Sequence, residues 1–127
     1  MITTKIYEDK SGDLVAVVIE DEQVSNYIPC PEIAVFDGEG FFEEARNGFL
    51  DAPLYEYDSL IGVTMEQAAE RAETEYALIA QIGDMVTIYP QRMNSLNQEF
   101  FQDELGEEVW QDLLGRVSGD DGIELEL

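Results

Sequence analysis

The segment ITTKIYEDKSGDLVAVVIE, residues 2–20, has the form of a β-hairpin and sets the predicted fold. Residues 2–8 mix threonine, isoleucine and tyrosine, and residues 14–20 form the most β-branched run of the chain. Both compositions are typical of strands, and the polar residues 9–13 between them supply turn chemistry. A weaker third strand is predicted over residues 23–29. Three consecutive short strands favour an antiparallel meander.

The most regular helix signal starts at Thr64. Thr64 is a favourable N-cap, and Gln67 stands three residues later in a capping-box arrangement. Apolar residues then recur with the 3.6-residue period, which predicts a helix to about Ile82 that stops at Gly83. A shorter helix is predicted over residues 40–48, between two glycines.

The second half of the chain is predicted to contain one strand and two helices. Residues 85–90 form the strand, and the proline at its end favours an edge or terminal position. Asn94 or Ser95 can cap a helix that runs through about residue 103. A second helix is predicted over residues 107–117, after a glycine that breaks the pattern.

These elements predict one α+β domain over residues 1–127, with a small antiparallel sheet and helices packed on one face. The expected order is β-β-β-α-α-β-α-α. The tail, residues 118–127, alternates apolar and acidic side chains. This alternation is compatible with an edge strand and also with a frayed end.

The chain is strongly acidic and still rich in apolar residues. It has 29 acidic and 6 basic residues, a formal net charge of -23 at pH 7 and 45% hydrophobic residues. A disordered acidic tail would be poor in such residues, so the composition predicts a folded domain with a real core. The charge repels nucleic acid and anionic membranes and attracts basic proteins. We therefore expect a basic protein as partner, with no direct binding to nucleic acid or membranes.

Several kinds of chemistry are disfavoured by what the sequence lacks. Histidine is absent, which removes the commonest general base and the commonest metal ligand. The single cysteine, Cys30, cannot form an internal disulfide and is expected to be a small structural thiol. No basic and apolar signal region or membrane-length apolar run is present. We expect a cytoplasmic protein that is not an enzyme and has no catalytic residues, metal or cofactor.

One partial calcium motif falls on the predicted hairpin. Asp9, Ser11, Asp13 and Glu20 match positions 1, 3, 5 and 12 of an EF-hand loop. Leu14 stands where that loop requires glycine, and strands are predicted where helices should flank it. A charged hairpin turn is the better interpretation.

The carboxylates of the predicted helices form two candidate binding sets. The acids after Thr64 are spaced i, i+4, i+7, so they lie on one line, away from the apolar side. A second set occupies residues 103–112 without any basic residue. A solvated helix face usually mixes both signs, so we expect the two sets to join in one negative band that binds a partner. The predicted partner-binding residues are Glu66, Glu70, Glu73, Asp103, Glu104, Glu107, Glu108 and Asp112.

In size and charge, the chain is similar to small DNA-mimic inhibitors of phages and mobile elements, which block restriction or CRISPR nucleases. This similarity, together with the carboxylate sets, favours an acidic inhibitor that occupies the basic nucleic-acid channel of a nuclease. An immunity protein that neutralises a basic toxin nuclease is the alternative, because it would use the same charge. An acidic accessory or structural protein, with an ordinary solvated helix face, is the second alternative.

Overall fold

The structure is a computed structural model and describes residues 1–29, 40–50, 63–117, 119 and 121–126. These residues form one antiparallel sheet with helices against it, which confirms the predicted α+β class. The strands are β1 (Ile2–Glu8), β2 (Leu14–Glu20), β3 (Gln23–Ile28), β4 (Ala77–Ile82), β5 (Val86–Ile88) and β6 (Ile123–Leu125). The α-helices are α1 (Phe41–Arg46), α2 (Met65–Glu75), α3 (Ser95–Leu105) and α4 (Glu107–Arg116), and a 3₁₀ turn spans Pro90–Arg92.

The strand order in the sheet is β3-β2-β1-β4-β5-β6, with every neighbouring pair antiparallel. The first three strands are the predicted meander. The chain leaves the sheet after β3 and returns with β4, which pairs with β1 on the side away from β2. The hairpin turn between β1 and β2 is closed by Asp9, whose Oδ1 accepts hydrogen bonds from the backbone N–H of Ser11 at 2.8 Å and of Asp13 at 2.9 Å. Strands therefore flank the partial calcium motif, and the Asp9 carboxylate holds the turn.

Both faces of the sheet are apolar at β2, because residues 14–19 of this strand are all apolar. Leu14, Ala16 and Val18 belong to one buried cluster, and Val15 and Val17 belong to another on the opposite face. An unbroken apolar run of this kind is typical of a strand that is covered on both sides. A sheet with such a strand needs helices on both faces.

The four helices divide between these faces in an unequal way. Helices α1, α3 and α4 bury apolar side chains in the larger cluster, which we call the first face; these include Phe41, Phe101 and Trp110. Helix α2 places Ala68 and Ala72 in the smaller cluster, on the second face. The prediction that all helices pack on one face thus holds for three of the four helices and is wrong for α2. Helix α2 packs on the second face because the apolar side chains of β2 on that side are also buried.

The predicted helix to Ile82 is too long in the C-terminal direction. Helix α2 ends at Glu75, Tyr76 is already extended, and residues 77–82 form β4. Ile79, Ala80 and Ile82 are fully buried, since β4 lies between β1 and β5. Sheet pairing here outweighs helix propensity, which is only a weak local preference.

Of the edge or terminal position that was predicted for the strand at residues 85–90, the edge alternative is wrong. Strand β5 is interior, because β6 pairs with it through Val86–Leu125 and Ile88–Ile123. Pro90 does not interrupt the sheet, since it begins the 3₁₀ turn after the strand. The apolar side chains of the tail alternation, Ile123 and Leu125, are buried in the first-face core, and β6 is an edge strand.

The remaining boundaries agree with the sequence patterns to within about two residues. Asn94 caps α3 by accepting a hydrogen bond from the Asn97 backbone N–H at 2.8 Å. Gly106, at a φ of 90°, separates α3 from α4. Cys30 and residues 51–62 lie outside the described residues. Among the helices that the structure describes, each is too short or too polar to cross a bilayer.

Candidate functional site

Helix α2 presents the first set of predicted carboxylates as expected. The capping box at its start is formed: the Thr64 side chain accepts from the Gln67 N–H at 3.1 Å, and Gln67 Oε1 accepts from the Thr64 N–H at 2.8 Å. The alanines on the inner side are buried against the sheet. Glu66, Glu70 and Glu73 are exposed, and we call this line the α2 stripe.

Two bases near α2 pair with Glu75 and not with the α2 stripe. Arg71 pairs with Glu75 at 3.6 Å, and Lys10 pairs with the same carboxylate at 3.3 Å. Glu75 lies about half a turn around the helix from the stripe, since successive residues are about 100° apart. Within the described part of the chain, no member of the α2 stripe is in an ion pair.

The second set lies on the C-terminal part of α3 and on α4. Four of its five members, Asp103, Glu107, Glu108 and Asp112, are exposed. Asp112 pairs with Arg116 at 3.3 Å. Glu104 is half-buried and already has an interaction partner, so it is the weakest candidate of the set. We call the five residues the α3–α4 acids.

The two sets do not form the single band that we expected. Helix α2 packs on the second face of the sheet, against residues of β1, β2 and β3. Helix α4 packs on the first face, where Trp110 and Leu113 share a core with Ile123 and Leu125 of β6. The sets therefore lie on opposite faces and toward opposite ends of the sheet. The molecule has two acidic surfaces, and a partner can cover one without touching the other.

Two further carboxylates join the α3–α4 acids. Glu124 and Glu126 line a groove between α4 and β6 together with Glu108 and Asp112, and the groove has a volume of 460 Å³. The apolar side chains of Val109 and Leu125 are also in its wall. Sequence reasoning missed these two acids because the tail had two interpretations. The alternation of the tail was the signal, since a strand with Leu125 buried points Glu124 and Glu126 outward.

Among the described helices, α2 alone packs on the second face of the sheet, and it covers only part of that face. A row of side chains crosses it, because the pairing aligns Lys5 with Gln81, Gln81 with Thr87, and Thr87 with Glu124. A depression of 730 Å³ follows the β4–β6 part of this row. A separate cleft of 400 Å³ lies between α2 and the β1–β4 pair. Among the described residues that line the depression, Arg116 is the one base and Glu124 the one acid.

The pKa of Tyr7, which lines this cleft, differs from its ordinary value. Burial raises the pKa of Tyr7 to about 12, and the nearby carboxylate of Glu73 adds to the rise. Both effects disfavour the tyrosinate form. Among the described residues, no cluster of His, Cys, Asp or Glu has the arrangement of a metal site.

The fold and the two acidic surfaces define a small α+β protein with a large negative surface charge. Comparison with protein-family models, curated proteins and solved structures gives no match to the chain.

Proposed function

We propose that the protein is an inhibitor that mimics DNA and blocks the basic nucleic-acid-binding surface of a nuclease, of the anti-CRISPR or anti-restriction type. The observation that supports this is the α2 stripe, three exposed carboxylates in line without an ion-pair partner among the described residues. At 1.5 Å rise per residue, Glu66 and Glu70 are about 6 Å apart along the axis, and Glu70 and Glu73 about 4.5 Å. This spacing is of the same order as one phosphate per about 3.4 Å along a B-DNA strand.

The chemistry of recognition follows from the groups involved. A DNA-binding surface presents lysine and arginine side chains to phosphate oxygens. Carboxylates accept the same charge-assisted hydrogen bonds. The net charge of -23 also accelerates encounter with a basic protein. The capping box and the buried alanines hold α2 as a preformed helix, so little ordering is needed on binding.

The test is a competition assay with a panel of purified restriction and CRISPR nucleases and a labelled DNA duplex. We expect the protein to displace the duplex from at least one nuclease and to lose affinity as salt rises, because exposed charge contacts are screened over about 8–10 Å. Simultaneous binding of the inhibitor and the duplex would contradict the mimic mechanism. Absence of inhibition across the panel would count against the function itself.

Two triple variants distinguish the effect of the α2 stripe on inhibition from the effect of net charge. The first reverses the α2 stripe (Glu66→Lys, Glu70→Lys and Glu73→Lys), and we expect weaker inhibition, chiefly through slower association. The control reverses three exposed acids on other elements: Glu43→Lys, Asp84→Lys and Glu99→Lys. It has the same total charge as the first variant and should inhibit more strongly. Equal inhibition by both would mean that α2 is an ordinary solvated helix.

An immunity protein against a basic toxin nuclease is the second candidate. The separation of the α3–α4 acids from the α2 stripe favours it, because a compact acidic patch can bind beside an active site without imitating a duplex. Reversal of Glu107, Glu108 and Asp112 to lysine tests this candidate. If that variant alone loses binding, and nucleic acid still binds the inhibited nuclease, the immunity mechanism is preferred.

A further inference from the structure

Among the described residues, the wall of the cleft between α2 and the β1–β4 pair has more basic than acidic side chains, against the balance of the whole chain. These wall residues are Lys5 and Arg92 with the carboxylate of Glu73, in a chain with 29 acidic and 6 basic residues. Two tyrosines, Tyr7 and Tyr76, complete the polar part of the wall. We call it the tyrosine cleft. Its volume of 400 Å³ is within the range of small-molecule sites.

The two cations of the tyrosine cleft are arranged differently. The Arg92 guanidinium stacks over the Tyr89 ring at 4.1 Å and donates from Nη1 to the Leu78 carbonyl oxygen at 3.2 Å, so its position is fixed. Lys5 is half-buried on β1, and no described residue forms an ion pair with it. An unpaired ammonium group is unexpected in so acidic a protein. Among the described residues its positive charge therefore has no counterpart, and an anionic ligand could supply one.

Tyr7 supplies the second, independent indication of a ligand. Its side chain is in the wall of the tyrosine cleft and the residue is only 4% exposed. Within the described residues, its hydroxyl has no hydrogen-bond partner, while the charge of Glu73 acts on it. A buried donor left without a partner costs about 1–3 kcal/mol. A ligand oxygen in the cleft would satisfy it.

We propose that the tyrosine cleft binds a small organic monocarboxylate. Lys5 and Arg92 provide the positive charge, and the Tyr7 hydroxyl donates a hydrogen bond to a carboxylate oxygen. Because Glu73 cancels one of the two positive charges, the cleft matches a single negative charge better than a phosphate dianion. The apolar walls at Ala77 and Leu78 and the ring of Tyr76 accommodate the organic part, which favours an aromatic or branched carboxylate over acetate.

The test is a titration of the whole protein with benzoate, acetate and inorganic phosphate, followed by backbone amide shifts in NMR. We expect saturable shifts at Lys5, Leu78 and Arg92 with benzoate, and weaker binding of acetate and phosphate. Absence of saturable shifts at the cleft with all three probes would overturn the proposal. Stronger binding of phosphate than of benzoate would overturn the monocarboxylate assignment.

Four single variants distinguish a binding site from general charge effects. Lys5→Gln should weaken benzoate binding by at least about tenfold, as expected for a lost hydrogen bond to a charged group, and Tyr7→Phe should weaken it by a smaller factor. Glu73→Gln should tighten binding several-fold, which a merely structural residue would not do.

Lys10→Gln is the matched control, since Lys10 is an exposed cation paired with Glu75 outside the tyrosine cleft. Equal weakening by Lys10→Gln and Lys5→Gln would overturn the proposal. No nuclease is used, so the result is independent of the inhibitor function.

Discussion

At the scale of single residues, Tyr7 connects the core to the second face. Tyr7 is part of the buried cluster beneath α2 and also lines the tyrosine cleft. The ring stabilises the packing, while the hydroxyl has no hydrogen-bond partner among the described residues and lies near the charge of Glu73. The stability of the fold and the acidity of this group are therefore linked.

This linkage predicts a stability change at alkaline pH. The pKa of Tyr7 is about 12 in the folded protein, against 10.0 for the ordinary group. Between these values the folded state keeps a proton that the unfolded chain loses, so the free energy of unfolding falls as pH rises. Tyr7→Phe should flatten this part of the curve and raise the stability at pH 7, because it removes a buried donor that has no partner among the described residues. Urea unfolding of both proteins from pH 9 to pH 12 measures the difference. Parallel curves would contradict the assignment.

Glu66, Glu70 and Glu73 illustrate what a sequence can predict about a single side chain. Their exposure depends on the period of one helix, which is a local property. The position of Glu73 beside Lys5 and Arg92 depends on strand pairing and on the path of the chain after β5. No local pattern contains that information, so the tyrosine cleft could not be predicted.

At the scale of elements, the stability of helix α2 depends on the capping box in its first turn. The capping box satisfies backbone N–H groups that have no partner inside the helix, and the acidic side chains that follow repel one another along the α2 stripe. The cap therefore matters more here than in a helix with paired charges. It also fixes where the stripe begins.

Removal of this cap gives a measurable prediction. Thr64→Ala should lower the free energy of unfolding by about 1 kcal/mol, as is usual for a lost N-cap. Thr74→Ala is the matched control, because the exposed Thr74 hydroxyl bonds only to the carbonyls of Glu70 and Arg71 within the same helix. Alanine has the higher helix propensity, so this control should be neutral or slightly stabilising. Chemical denaturation of both variants is the measurement, and an equal loss in the two would argue against the capping role.

The elements also differ in how far the sequence predicts them. The β1–β2 hairpin and the start of α2 follow from turn and capping chemistry that lies within a few residues. The segment ALIAQI, residues 77–82, fits a helix period and a buried strand equally well, and no glycine or proline precedes it. Its state is decided by pairing with β1, which is distant in sequence, and with β5 across a short turn.

At the scale of the whole molecule, the acidic residues have two opposite effects. In the free protein they repel one another, which opposes compaction. They also attract a basic partner, which favours binding. The described structure separates the predicted carboxylates into two surfaces, so each surface has its own field. Both effects are electrostatic and respond to salt, with opposite signs.

The last prediction uses this difference in sign. Raising NaCl from 0.01 M to 1 M shortens the screening length from about 30 Å to about 3 Å. Screening should raise the melting temperature, because repulsion among the surface carboxylates exceeds the small contribution of exposed ion pairs such as Lys10–Glu75 and Arg71–Glu75. The variant with Glu66, Glu70 and Glu73 reversed to lysine is less acidic, so its melting temperature should rise less with salt. Melting curves of both proteins across the salt series measure this effect. A melting temperature that falls with salt would mean that net attraction between charges stabilises the fold, and the carboxylates could no longer be regarded as unneutralised charge held ready for a partner.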